Sequence, residues 1–180
     1  MTKLEQSYSQ AGQDEWVRSL FPDLNNGTFV DIGCNHPTKL SNTYALELLG
    51  WRGLLIDVEA ECVAQCRAER KSHVVQADGR VLDWLPAAIA AGIVVVGQYD
   101  RPITYLSLDC DEVTPPVLTR ILGSGLRFKC MTVEHDFYQH GAGPRDAMRE
   151  QLLRAGYKLA VADVANGGPE WIFEDWYVHE

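Results

Sequence analysis

Three stretches place carboxylates and one glycine where a nucleoside could be held. In TFVDIGCNHP an apolar run ends on Asp31 and opens through Gly33 to Asn35. Gly33 removes a side chain where a ligand would approach the backbone, and Asp31 and Asn35 offer oxygens to an ammonium group. Only one glycine occurs between Asp31 and Leu40, so the three-glycine cradle of a dinucleotide pyrophosphate is missing. In GLLIDVEAE the next run ends on Asp57, whose carboxylate can take both hydroxyls of a ribose. The same acid would serve NAD, and it also suits the cap of a helix that starts near Glu59. After a third run, Asp78 in QADG can accept from an exocyclic amine or simply close a turn.

A second group is acidic. Asp109 and Asp111 follow a fourth run, and Glu134, His135 and Asp136 follow a fifth. Brought to one sheet edge, Asp109, Glu134 and His135 could share a divalent cation such as Mg²⁺, which would lower the pKa of an acceptor hydroxyl. Without metal, Asp109 would contact the ligand and His135 would act as general base near pH 7. The plain alternative is that Asp111 and Glu112 cap the helix after Pro115 while Asp136 stays solvated. His140 and Tyr138 fall on a glycine-rich stretch that could close over an acceptor, and Gln10 and Gln13 could fold back toward the ligand. Trp51, Trp84, Trp171 and Trp176 read as core.

Crossover units position these residues. Short β-branched runs at 28–32, 54–57, 73–77, 103–108, 128–134, 159–164 and 171–178 alternate with helical stretches at 13–20, 42–49, 60–71, 81–91, 115–122 and 145–155. Strands alternating with helices of about ten residues predict an α/β fold with a mostly parallel seven-stranded sheet. The last two runs are separated only by a turn around Asn166-Gly167-Gly168-Pro169, which predicts an antiparallel hairpin. Such a sheet binds ligands at the carboxyl ends of its strands, where the acids lie.

Nothing interrupts the 180 residues, so residues 1–180 are expected to form one domain, with 1–24 a helical segment packed on it. Against 25 acidic residues stand 16 basic ones; the net charge of −9 repels polyphosphate, which excludes nucleic acid and anionic membrane as expected partners. The amino terminus lacks a signal-peptide core and no apolar run approaches membrane-spanning length, so the expectation is a cytoplasmic protein. Five cysteines without CxxC spacing are expected to be reduced thiols.

Taken in order, these blocks resemble the FkbM family of S-adenosylmethionine-dependent methyltransferases across residues 8–178. The resemblance is carried by SQAGQDE (9–15), FVDIGCNHP (29–37), SNTYALE (41–47), GWRGLLIDVEAE (50–61), YLSLDCDE (105–112), TVEHD (132–136), GYKL (156–159) and EDWYV (174–178). It implies a three-layer Rossmann-like methyltransferase fold and an S-adenosyl-L-methionine site. Asp31, Gly33, Asn35 and Asp57 would hold the cofactor, with Ser41 and Asn42 near its methionine end and Asp78 near adenine. It further implies O-methylation of a small hydroxylated acceptor such as a sugar, polyol or natural product. Homo-oligomerisation stays open. The acids also resemble the metal site of catechol-type O-methyltransferases. Where the family shows Val-Glu-Gly after the fourth-strand Asp, this chain has Cys110-Asp111-Glu112, and it carries no inserted cap. The alternative is a catalytically silent cofactor-binding module that acts with a partner chain.

Overall fold

The computed structural model describes residues 6–179. From the amino end these form α1 (Gln13–Leu20), β1 (Thr28–Ile32), α2 (Tyr44–Leu48), β2 (Arg52–Asp57), α3 (Ala60–Glu69), β3 (His73–Gln76) and α4 (Trp84–Ala90). Then come β4 (Ile103–Leu108), a 3-10 turn at Asp111–Val113, α5 (Thr114–Gly123), β5 (Phe128–Glu134), α6 (Phe137–His140), α7 (Ala142–Arg154), β6 (Tyr157–Ala165) and β7 (Ile172–His179). The seven strands make one sheet in the order β3-β2-β1-β4-β5-β7-β6. All neighbours are parallel except β7, which inserts antiparallel between β5 and β6.

Both faces of the sheet are covered, so its central strands carry unbroken apolar runs; β4 is buried at every residue. Alternate side chains sort into two cores. Val30, Ile32, Leu54 and Ile56 pack with Trp84, Val117, Leu118 and Leu152 from α4, α5 and α7. Phe29, Leu55, Tyr105 and Cys130 pack on the other face with Val17, Leu46, Val63 and Cys66 from α1, α2 and α3. Each fully buried large apolar side chain contributes about 1.5–3 kcal/mol relative to exposure. Three layers result.

The expected helix at 42–49 is trimmed to Tyr44–Leu48, because the side chains of Asn42 and Thr43 bond to the sheet. The glycine-rich stretch read as a closing loop is instead two helices: α6 ends at Gly141, at φ +69°, and α7 starts one residue later. Trp51, Trp84 and Trp176 are buried, whereas Trp171 is 50% exposed and packs on Tyr138. In the segment expected to pack as a helix over 1–24, α1 buries Val17 and sets Trp16 against Trp176; residues 1–5 and Glu180 lie outside the described residues.

Candidate cofactor and acceptor site

A cleft of about 630 Å³ opens at the carboxyl ends of β1, β2 and β4. The turn after β1 is pinned from β2: Gly33 and Cys34 both donate to the Ile56 carbonyl, at 2.9 and 3.2 Å. Asn35 follows in the left-handed region at φ 47° and its N–H donates to Asp57 Oδ2 at 2.8 Å. Asp57 Oδ1 accepts from the Glu59 N–H at 2.9 Å, so the Asp57 carboxylate both shapes the glycine turn and starts α3. Each Asp57 oxygen has accepting capacity beyond these bonds, and the residue lines the cleft. Gly33 is required for a different reason than ligand approach. At φ +76° a Cβ there would stand 1.6 Å from the Asp109 carbonyl oxygen, so the missing side chain lets the β1 turn pass against the end of β4.

Asp31 is buried, and its Oδ2 accepts from the Thr43 hydroxyl at 2.5 Å. Burial raises its pKa, opposed by the Thr43 hydrogen bond and the charge of Arg70. Arg70 is itself buried and spans the region: it donates to Glu47 Oε1 at 3.2 Å, Thr43 Oγ1 at 3.0 Å, Ser41 Oγ at 3.3 Å and the Pro37 carbonyl at 3.1 Å. A buried pair of this kind is retained only with such additional bonds. Asn42 donates to Ser107 Oγ at 3.1 Å, and its Oδ1 is buried in the cleft lining with no hydrogen-bond partner among the described residues. Gln10 reaches the cleft as expected, while Gln13 instead donates to Glu174 Oε1 at 3.0 Å. Nothing in the sequence points to Arg70, whose partners Ser41, Thr43 and Glu47 lie 23 to 29 residues away along the chain.

Asp78 lies on the cleft rim, but both of its oxygens are engaged by the Arg80 guanidinium, at 2.6 to 3.0 Å, and its carboxyl is held below the usual value by those bonds. Cys66 sits against Cys34, with sulfurs 3.9 Å apart, whereas Cys62 lines the cleft.

The acidic group assembles differently from the expected set. Asp109 closes the inner end of the cleft, and Glu134 Oε2 accepts from the Asp111 N–H at 2.9 Å. Asp111, Glu134 and Asp136 bring carboxylate oxygens within 4.8 Å of one another. Asp111 and Asp136 achieve this at φ 49° and 44°, left-handed conformations that Asp tolerates better than most residues. Burial together with the Asp109 carboxylate pushes Glu134 strongly up, and burial also raises Asp109, so the pair shares a proton that resides on Glu134. His135 does not join them. Its Nδ1 accepts from the Phe137 N–H at 3.2 Å, and its Nε2 stands 3.5 Å from Asp175 Oδ1. Despite its burial, Asp175 is held well below its usual value by hydrogen bonds from Arg149, with His135 close beside it. His135 opens with His140 onto a separate cavity of about 300 Å³ under α7. The metal set of Asp109, Glu134 and His135 is therefore not brought together, and His135 does not line the cofactor cleft.

The strand order, the reversed β7 and a cleft at the ends of β1, β2 and β4 define the Rossmann-like fold of S-adenosylmethionine-dependent methyltransferases. Solved structures bear this out. A TehB-like S-adenosylmethionine-dependent methyltransferase from Corynebacterium glutamicum is 13% identical, with 94% of this chain and 88% of that one covered and a TM-score of 0.58. A putative rRNA methylase from Clostridium thermocellum is 12% identical, covering 96% and 97%, with a TM-score of 0.62. A putative RNA methyltransferase from Pyrococcus horikoshii is 12% identical, covering 98% and 88%, with a TM-score of 0.59. No family model matches the chain, and no curated protein matches it in sequence.

These likenesses correct the exclusion of nucleic acid drawn from net charge. The same architecture, over nearly the whole chain, carries proteins described as RNA and rRNA methyltransferases. Net charge sums the entire surface, whereas a polynucleotide meets only the local field of one face. No helix among the described residues is long and apolar enough to cross a membrane.

Proposed function

We propose that this chain binds S-adenosylmethionine in the large cleft and transfers its methyl group to an acceptor hydroxyl, as the FkbM resemblance implies. The observation that carries the reading is Asn42 Oδ1, a buried acceptor without a partner in the cleft wall, suited to the ammonium of an amino-acid moiety. Asp31, Ser41 and Asn42 would surround the methionine end, Gly33 and Asn35 the turn beneath it, and Asp57 the ribose hydroxyls. Asp78, tied to Arg80, would border the adenine. When bound, the cofactor supplies a sulfonium methyl group that an oxygen can displace in line, a step governed chiefly by positioning. Asp109 is the carboxylate at the inner end of the cleft, and its raised pKa suits it to accept the proton of the acceptor hydroxyl. Glu134 holds a proton beside it and keeps the pair from carrying two charges.

Calorimetry with S-adenosylhomocysteine tests the cofactor: saturable binding is expected, and binding of NAD alone would overturn the reading. Asp57→Ala should weaken that binding at least about tenfold, in line with roughly 1–3 kcal/mol for a charged hydrogen bond. Unchanged affinity removes the ribose role. Transfer of a labelled methyl group to polyols, amino alcohols or RNA fragments then identifies the acceptor. Tight homocysteine-analogue binding with no transfer in any arm returns the chain to a silent cofactor-binding module.

A further inference from the structure

Beside the cofactor cleft lies a smaller cavity of about 170 Å³, and Gln10 lines both. Besides the amides of Gln10 and Asn166, it is walled by the carboxyls of Glu134 and Asp136 and the rings of Tyr138, Trp171 and Phe173. We infer that this cavity receives an alkylammonium group of the methyl acceptor, seated between the Tyr138–Trp171 pair and the two carboxyls. The inference rests on the methyl-transfer reading for the word acceptor, and adds the chemical class that reading lacks.

The aromatic wall is built, not incidental. Tyr138 and Trp171 come from different elements, α6 and the turn before β7, and meet edge to face with centroids 5.2 Å apart. They remain 41% and 50% exposed. Two large rings left open over a cavity, with a buried Phe173 beneath, are what a cation seeks, because the ring faces carry negative potential and little hydration to displace. Gln139 ties the two walls together: its Nε2 donates to the Tyr138 hydroxyl at 2.6 Å and to Asp136 Oδ2 at 3.2 Å. Among the described residues no lysine or arginine lines the cavity, so Asp136 meets no cation there, while Glu134 carries a proton and offers a neutral carboxyl. Behind the lining, directly across from Glu134 in the β5–β7 ladder, the fully buried Glu174 keeps Oε2 without a hydrogen-bond partner among the described residues. An anion would meet the Asp136 carboxylate there, and an apolar group would leave that charge without a counter-ion. An ammonium head satisfies both walls, and a hydroxyl a few bonds away reaches toward Asp109. The acceptor class is thus an amino alcohol or amino sugar.

Choline and 3,3-dimethylbutan-1-ol have the same shape and differ in charge, which makes them suitable probes. With the full chain saturated by S-adenosylhomocysteine, tryptophan fluorescence should report saturable choline binding at least about tenfold tighter than the neutral alcohol. Trp171→Ala should weaken choline about tenfold, and so should Asp136→Asn, with S-adenosylhomocysteine affinity within about twofold of wild type as the check on folding. Equal binding of the two probes overturns the cation assignment. Absence of choline binding with S-adenosylhomocysteine still bound overturns it too and leaves the cofactor reading standing. Choline binding in a chain that ignores S-adenosylhomocysteine does the reverse. A saturable Mg²⁺ response, lost in Asp136→Asn and unaccompanied by choline binding, would give the acids to a metal and overturn the proposal.

Discussion

Asp109→Asn is expected to lower kcat by about a hundred- to ten-thousand-fold, the range contributed by a positioned base, while S-adenosylhomocysteine affinity stays within about threefold. The amide is isosteric, and the backbone contacts that fix the residue survive: the Asp109 N–H still donates to the Ile32 carbonyl at 3.0 Å, and its carbonyl still packs against Gly33. What is lost is the capacity to take a proton. In the wild type, burial raises the Asp109 pKa, so the base is protonated and idle at low pH and gains activity as pH climbs through that raised value. The acid limb of the kcat profile should therefore sit above the ordinary carboxylate range of about 4 and vanish in Asp109→Asn. The measurement is methyl transfer to the acceptor that the labelled-methyl assay identifies, across pH 4 to 9. A variant with unchanged kcat, or a wild-type acid limb that persists in it, would move the proton acceptor away from Asp109.

The framework of the fold was legible because its strands are buried on both faces. Runs such as 28–32, 103–108 and 128–134 have matching boundaries in the sheet, and helices 13–20 and 115–122 fall within one residue of α1 and α5. Burial writes itself into local sequence. The walls of the site were harder, since they depend on side-chain direction and on distant partners. Arg70 joins Ser41, Thr43 and Glu47 in one buried network from two segments, and no spacing rule links Arg70 to the others. The outcome at the end of β5 has another cause: the strand stops at Glu134 and Asp136 turns left-handed, which brings Asp136 to Glu134 and leaves His135 beside Asp175, and no periodicity in the sequence announces that turn. Trp171 differs for another reason: its place at the head of the last β-branched run reads as core, but the strand starts one residue later and leaves the ring half exposed in the preceding turn.

Glu174→Gln should stabilise the protein at alkaline pH and leave it nearly unchanged at pH 5. Glu174 is fully buried on β7, where Oε1 accepts from Gln13 Nε2 at 3.0 Å and Trp176 Nε1 at 2.5 Å. Burial, with the Asp109 charge adding to it and the hydrogen bonds opposing, pushes its pKa up to about 8. In the unfolded chain the same carboxyl titrates near 4.3. Between those values the native state holds a proton that the unfolded state has released, so folding stability from this group is complete below about 4.3 and is lost as pH rises through 8. Fully ionised, the carboxylate costs the native state on the order of 2–5 kcal/mol. Glutamine keeps the Oε1 acceptor for Trp176 and Gln13 and cannot ionise. For a chain of this length 1 kcal/mol moves Tm by roughly 2–4 °C, so the variant's Tm should exceed the wild type's by about 5 °C or more at pH 9 and match it at pH 5. Asp31, Asp109 and Glu134 are raised in the same direction and lower the alkaline stability of both proteins alike, which is why the variant-minus-wild-type difference is the quantity to follow. A difference that does not change between pH 5 and 9 would show that Glu174 does not titrate in this interval. If it does titrate, the bare Oε2 beneath the acceptor side is a buried charge in waiting, and an ammonium group arriving above Glu134 should blunt the alkaline loss in the wild type more than in Glu174→Gln.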